Sequence, residues 1–102
     1  MTVRDISFGS KVGLSILSDK WYMLVLQFLT EESKPFMAVR NAIRGISTFN
    51  LLIILSKLES MKLLSSEDYE YQLTSDGVKA QALISQIEQF GNQEVASLSD
   101  DF

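Results

Sequence analysis

The residues best suited to chemistry are five cations that share one segment of the chain with a single acid, Glu59. They are Lys34, Arg40, Arg44, Lys57 and Lys62, and five minus one gives this segment a net charge of +4. The rest of the chain carries four basic and twelve acidic residues, or −8, which brings the whole chain to −4. A local cluster of lysine and arginine can neutralise phosphates even on an acidic protein. The pattern favours contact with a polyanion, or else a solvated helix face.

A second set of candidate residues follows Gly45 at helical spacing. Gly45 is expected to end one helix, because glycine takes the left-handed backbone conformation without strain, and Ser47 is expected to cap the next. Leu51, Leu55 and Leu58 share one face of that next helix and predict that it packs on a core. The polar side chains outside this face have groups that could hydrogen-bond to base edges. They are Ser47, Thr48, Asn50, Ser56, Lys57 and Ser60.

Apolar side chains also occupy the outward face of this helix, at Phe49, Leu52 and Ile53. An exposed apolar patch usually marks a site for a protein partner, so these three residues are candidate anchors for another protein. Phenylalanine and isoleucine also make contacts with thymine methyl groups in DNA. The residues alone therefore leave two functions open, a DNA-binding protein and a protein-interaction module.

The composition argues against an enzyme. The chain has no histidine and no cysteine, which removes the commonest metal ligand, the commonest general base and every disulfide. The acidic pairs Glu31–Glu32 and Asp100–Asp101 consist of adjacent residues, whose side chains do not converge on one point. We therefore expect no catalytic residue, no metal and no cofactor. No apolar run has the length of a leader peptide or a membrane span, so we expect a cytoplasmic protein without membrane contact.

The elements that must position these residues follow from the periodicity of apolar side chains. Helices are predicted over residues 10–17, 20–29, 35–45, 47–61 and 74–91, and strands over 63–66 and 69–73, with Glu67–Asp68 as the turn. The pattern predicts a mainly α (α+β) fold, a winged helix-turn-helix with a short two-stranded β-hairpin as the wing. Residues 10–91 would form this domain, after an N-terminal arm (1–9) and before an acidic, flexible tail (92–102).

The predicted second helix, residues 20–29, is apolar on almost every side. A helix of this kind is buried by its own domain on one side and by something else on the other, here a second subunit. The last helix carries a further apolar stripe. We therefore expect a homodimer built from the N- and C-terminal helices. The predicted interface residues are Trp21, Tyr22, Leu26, Leu83, Ile87 and Phe90.

Several short motifs occur along the chain in a fixed order. They are Asp19-Lys20-Trp21, Lys34-Pro35-Phe36, Gly45-Ile46-Ser47, Leu51, Leu55, Leu58-Glu59, Leu63, Tyr71-Gln72-Leu73-Thr74 and Gly77. In this order and spacing they resemble the HxlR-type transcriptional regulators, which are relatives of the MarR group. The resemblance covers residues 10–90. It implies a homodimeric winged-helix protein that binds operator DNA and regulates transcription, with Lys34, Arg40 and Arg44 holding phosphates.

The chain departs from this group in three places. Apolar residues stand where members of the group usually carry polar and basic side chains on the recognition helix; they are Phe49, Leu52, Ile53 and Ile54. The wing carries Glu67, Asp68 and Glu70, and these charges would oppose an approach to phosphate. Phe8 also stands near the position of a sensing cysteine in some members, so redox sensing through a thiol at that position is not expected.

Overall fold

The computed structural model describes residues 7–100, except for the side chains of Phe8 and of residues 97–100. Helices and short strands follow one another along the described residues in the order α1, α2, β1, α3, α4, β2, β3, α5. Their bounds are α1 Phe8–Leu17, α2 Lys20–Phe28, β1 Lys34–Pro35, α3 Phe36–Ala42, α4 Thr48–Ser60, β2 Leu64–Glu67, β3 Glu70–Leu73 and α5 Ser75–Asp100. The predicted fold, a mainly helical winged helix-turn-helix with a small antiparallel sheet, is confirmed.

The sheet has one strand more than the two predicted. Its order is β1-β3-β2, and both pairings are antiparallel. The added strand pairs Lys34 with Tyr71 and Pro35 with Glu70. It contains only two residues and lies at the sheet edge, where a proline is tolerated. A two-residue strand is too short to show an alternating pattern, which is why the sequence did not predict it.

The hairpin turn lies one residue later than predicted. Glu67 pairs with Glu70, so the two central turn residues are Asp68 and Tyr69 rather than Glu67 and Asp68. Both have positive φ, 52° for Asp68 and 61° for Tyr69. Positive φ at both central residues is typical of a type I′ turn, whose twist matches that of the flanking strands. Tyr69 therefore belongs to the turn, although its alternation with Tyr71 and Leu73 predicted a strand residue.

One hydrophobic core joins α2, α4, the hairpin and α5. Its fully buried members are Val25, Leu26, Leu29, Val39, Leu51, Leu55, Leu58, Leu64 and Ile84. The predicted inward face of α4, formed by its three core leucines, is thereby confirmed. Tyr22 and Leu26 are only 8% and 0% exposed, so the single chain already covers them. The prediction that these two face a second subunit is corrected by their burial in the chain's own core.

Capping side chains fix where α2 and α4 begin, and the cap of α4 is the predicted Ser47. The Asp19 carboxylate accepts from the amides of Trp21 and Tyr22 at 2.9 and 3.1 Å. The Ser47 hydroxyl accepts from the amide of Asn50 at 3.1 Å. The end of α3 differs from the prediction, because this helix stops at Ala42 and Gly45 lies in the following turn with φ of 89°.

The terminal helices are longer than predicted. α1 begins at Phe8, after Ser7 as N-cap, so Phe8 and Gly9 are helical rather than part of an arm; residues 1–6 lie outside the described part. α5 passes through Gly91 and reaches Asp100, so the prediction that Gly91 ends it is wrong. An interior glycine costs a helix only about 1 kcal/mol, which does not end it when helix-forming residues follow. Residues 101–102 of the predicted tail lie outside the described residues.

The C-terminal end of α2 is held by a side chain from α5. The Gln81 Nε2 donates to the carbonyl oxygens of Leu26 and Leu29 at 2.7 and 2.8 Å. These are among the carbonyls that a helix end leaves without partners inside the helix. Gln81 therefore connects α5 to the helix that precedes the helix-turn-helix.

Gln81→Ala should lower the free energy of unfolding by about 1–3 kcal/mol, because the half-buried carbonyls at the end of α2 lose their donor. Gln86→Ala, at an exposed position of the same helix, is the matched control and should change stability by less than about 0.5 kcal/mol. Urea unfolding monitored by circular dichroism measures both. Equal losses in the two variants would show that the bonds of Gln81 contribute nothing specific.

Candidate nucleic-acid interface

The first turn of α4 protrudes from the domain. Ser47, Thr48, Phe49 and Asn50 are all exposed, and burial of the helix begins only at Leu51. α3 precedes this turn, and the chain reverses between them through residues 43–47. The arrangement is the helix-turn-helix predicted from Gly45 and Ser47, with the start of its second helix open to solvent.

A hydrogen bond across the turn ties α3 to the start of α4. The Arg40 Nε donates to the Thr48 Oγ1 at 2.9 Å. Because this bond uses only the Nε–H, the other guanidinium nitrogens of Arg40 remain for an external acceptor. The structure thus brings a predicted phosphate ligand and a predicted base-proximal residue together, a contact that no sequence pattern indicated.

The cations of the helix-turn-helix form no ion pair with acids in the described part of the chain. Among residues 7–100, no ion pair involves Lys34, Arg40, Arg44 or Lys57. Arg44 is exposed beside the turn, whereas Lys34 is half-buried on the edge strand β1. The predicted phosphate ligands are therefore available, with two of them near the turn and one on the sheet.

The six predicted base-proximal residues do not form one surface. Thr48 and Asn50 lie in the first turn of α4, and Ser47 uses its hydroxyl to cap the helix. At 1.5 Å per residue, Ser56 and Ser60 lie about 9 and 15 Å further along the axis than Asn50. The Ser60 hydroxyl also donates to the Lys57 carbonyl oxygen at 2.7 Å. The exposed first turn is therefore the part best placed to reach a ligand.

An open groove of about 470 Å³ runs beside the outward face of α4. Its apolar lining comes from α2, the turn and α4, and Asn50 and Lys57 are at its edge. The apolar residues are Trp21, Ile46, Ile53 and Ile54. Trp21 was predicted for the dimer interface, but it lines this groove, with the Lys20 Nζ 4.7 Å from the centre of its ring. The place of Ile46 in this groove was not predicted, because Ile46 lies outside every predicted helix stripe.

The three predicted protein anchors differ in exposure. Phe49 is 71% exposed, whereas Leu52 and Ile53 are half-buried. Ile54, which also departs from the usual pattern, packs against the core. Only Phe49 therefore extends freely from the helix, and Ile53 offers a partly covered surface one turn further on.

The wing is acidic, as the sequence indicated. Glu67, Asp68 and Glu70 are exposed and line an open depression of about 510 Å³ on the hairpin. Below them the Tyr71 ring is buried, and burial, followed by the charge of Glu59, raises the pKa of its phenol above the ordinary value. The negative hairpin face is unsuited to a polyanion, so the electrostatics favour α3, the turn and α4 as the contact surface.

Two further findings concern only the described residues. They contain no group of three or more acidic, histidine or cysteine residues that could hold a metal ion. None of the helices among them is both long and apolar enough to cross a membrane.

Comparison with known proteins gives a consistent result. The sequence profile of the HxlR-like helix-turn-helix family matches residues 16–98. No functionally curated protein matches the chain. The structure of quinone-bound YodB from B. subtilis has a TM-score of 0.80 with this chain at 24% identity, covering 86% of this chain and 99% of YodB.

Two structures described as MarR-family transcriptional regulators are also similar. The one from Enterococcus faecalis V583 has a TM-score of 0.82 at 20% identity and covers 98% of this chain and 97% of its own. The one from Porphyromonas gingivalis W83 has a TM-score of 0.76 at 26% identity, with coverage of 89% and 96%. The family match spans most of the chain, and the family consists of transcriptional regulators rather than enzymes. This chain belongs to the HxlR-like helix-turn-helix family.

Proposed function

We propose that the protein binds double-stranded DNA as a homodimer and regulates transcription from the bound site. The observation that carries the proposal is the exposed first turn of α4, braced against α3 by the Arg40–Thr48 hydrogen bond. In helix-turn-helix proteins the start of the second helix is the part that reaches base edges in the major groove. Regulators of this family typically bind DNA, which agrees with this assignment.

The distribution of charged side chains favours one side of the domain for DNA binding. Arg40 and Arg44 lie around the turn and carry no ion pair within the described residues, so both are available to phosphates. The acids of the wing would repel the backbone. We therefore assign the phosphate contacts mainly to α3 and the turn, with Lys34 and Lys57 as more distant contributors, and we place the wing away from the phosphates.

The dimer proposal is based on the terminal helices. α5 exposes Leu83, Ile87 and Phe90 by 50%, 45% and 64%, and α1 exposes Val12 and Leu14 by 41% and 55%. The radius of gyration is 16.0 Å. A compact chain of this length would have about 13 Å, so the molecule is more extended than a self-contained domain. A second copy packed on these helices would cover the apolar surface.

DNA binding is tested by selecting duplexes from a randomised pool with the full chain and then titrating the selected duplex by fluorescence anisotropy. We expect the logarithm of the affinity to fall linearly with the logarithm of the salt concentration, because each neutralised phosphate releases counterions. Absence of enrichment together with absence of salt-dependent binding would overturn the proposal.

Leu83→Glu combined with Ile87→Glu should convert the dimer to a monomer, because two charges would be buried in an apolar interface. Sedimentation or light scattering should then give the monomer mass of 11.5 kDa in place of twice that value. Gln89→Glu, an exposed position on α5 away from the stripe, is the control and should remain dimeric. A wild-type protein that is monomeric at micromolar concentration would contradict the dimer.

A protein-interaction module, with Phe49, Leu52 and Ile53 as anchors, is the second candidate. The observation in its favour is the exposed Phe49 beside an apolar groove, on a helix that offers few donors to bases. This function predicts that the wild-type protein shows no salt-dependent binding to any selected duplex. The titration described above therefore separates the two candidates.

A further inference from the structure

Phe49 is the second residue of α4 and the most exposed apolar side chain of the helix-turn-helix, with 71% of its surface open. It lies between Thr48 and Asn50 in the turn that would enter the major groove. Leu51, two residues later, is fully buried, so Phe49 projects from the side of the helix that faces away from the core. If the start of α4 reaches the bases, the Phe49 ring meets a base edge.

The chemistry of the major groove leaves one kind of partner for such a ring. Phenylalanine has no donor or acceptor, and the C5-methyl group of thymine is the one apolar substituent that the four bases present in the major groove. 5-Methylcytosine presents a methyl group at the same ring position. Ile53, one turn further along the same face and half-buried, extends the apolar surface behind Phe49.

The charges around Phe49 favour DNA over an apolar protein surface as its partner. Arg40 is bonded to the adjacent Thr48, Arg44 lies beside the turn, and Lys57 lines the neighbouring groove. None of the three is in an ion pair within residues 7–100. An apolar ring on a helix-turn-helix whose cations have no ion pair among the described residues matches a methyl group between phosphate backbones. An apolar protein patch would instead have to desolvate these charges.

We propose that Phe49, supported by Ile53, reads the C5-methyl group of a pyrimidine in each half-site. This inference rests on the proposed DNA binding and specifies what the exposed first turn recognises. Recognition of one base of each half-site then depends on a methyl group rather than on a hydrogen-bond pattern. Thymine and 5-methylcytosine both satisfy it, while cytosine and uracil do not.

The test replaces thymine by deoxyuridine in the duplex selected by the wild-type chain, one position at a time. Uracil keeps every hydrogen-bonding group of thymine and lacks only the methyl group. Loss of one buried methyl contact corresponds to about a 4-fold loss of affinity, and loss of one in each half-site to about 15-fold. We expect this loss at one position per half-site and no change at the other thymines, which serve as internal controls.

Substitutions of Phe49 test whether this side chain causes the preference for thymine over uracil. Phe49→Ala should bind the thymine and uracil duplexes equally, whereas Phe49→Leu, which keeps an apolar side chain, should retain part of the preference. Because Phe49 is exposed, both variants should melt close to the wild type. A further duplex carries a C·G pair in place of the T·A pair at the sensitive position. Methylation of that cytosine at C5 should raise wild-type affinity by about 4-fold.

The outcomes separate this inference from the function on which it rests. Salt-dependent binding by the wild type that is indifferent to every thymine-to-uracil exchange would overturn the reading of a methyl group and leave DNA binding in place. A preference for thymine that persists in Phe49→Ala would overturn the role of Phe49. No salt-dependent binding to any selected duplex would overturn the proposed function and this inference together, as expected if Phe49 anchors a protein partner.

Discussion

Replacing both Arg40 and Arg44 by alanine should weaken binding to the selected duplex by on the order of 100-fold, because a dimer would lose four phosphate contacts. The slope of log affinity against log salt should become shallower by about 3 to 4, and the loss should be similar for selected and unrelated duplexes. Fluorescence anisotropy over a range of salt concentrations measures the affinity and the slope together.

Two controls distinguish charge from structure in this experiment. The lysine double variant, Arg40→Lys with Arg44→Lys, keeps both charges and should restore most of the slope. Lys79→Ala removes an exposed cation of α5 that lies 4.0 Å from Asp76, far along the chain from the helix-turn-helix, and should leave the slope unchanged. If the alanine double variant keeps the wild-type slope while its melting temperature is normal, the turn does not touch the DNA backbone.

Gly77→Ala should lower the free energy of unfolding by about 2–4 kcal/mol. Gly77 is buried in the first turn of α5, and a Cβ atom at this position would overlap the backbone carbonyl oxygen of Leu63. That oxygen accepts from the Thr74 amide at 3.1 Å, so it cannot move without loosening the junction between the hairpin and α5. The melting temperature should fall by roughly 10–20 °C, measured by circular dichroism.

Gly91→Ala is the matched control for Gly77→Ala. Both glycines lie in α5, but a Cβ atom at Gly91 would have no neighbour within 4 Å. Alanine there should raise stability by about 0.5–1 kcal/mol, because it is the better helix former. Opposite signs for the two variants are the expected result. Similar small effects would mean that the close approach at Leu63 relaxes at little cost.

The helix-turn-helix was predictable because its signals are local. Ser47 and the leucine face of α4 each act within a few residues, and the structure uses them as predicted. Gly45 has the predicted left-handed backbone, although α3 already ends at Ala42. The features of the fold that the sequence did not predict depend on contacts between distant parts of the chain. β1 exists only because β3 pairs with it, and burial of Tyr22 and Leu26 depends on how α2 sits among the other elements. An apolar stripe in a sequence shows that a surface is covered, without showing what covers it.

The candidate site was predictable in part for the same reason. We call the exposed first turn of α4, residues 48–50, the reading turn. Its position follows from the cap at Ser47, so Thr48, Phe49 and Asn50 could be predicted from the sequence as candidates for contact with a partner. The Arg40–Thr48 bond and the placement of Trp21 beside α4 arise from the packing of helices at a particular angle, which no local spacing encodes. Ser56 and Ser60 are polar like the first turn of α4, but they lie two to three helical turns beyond it. Residue type and helical spacing alone do not show which part of a helix reaches a ligand.

The most direct test of DNA binding through α4 uses the absence of native cysteine. Asn50→Cys gives a single thiol in the reading turn, which can carry an iron–EDTA group that cleaves nearby DNA, and Asn92→Cys places the same group on the exposed surface of α5. From position 50 we predict two clusters of cleavage on the selected duplex, separated by about 10 base pairs or a multiple of that spacing. Weak or diffuse cleavage from position 50, no stronger than that from position 92, would contradict insertion of α4 into the major groove.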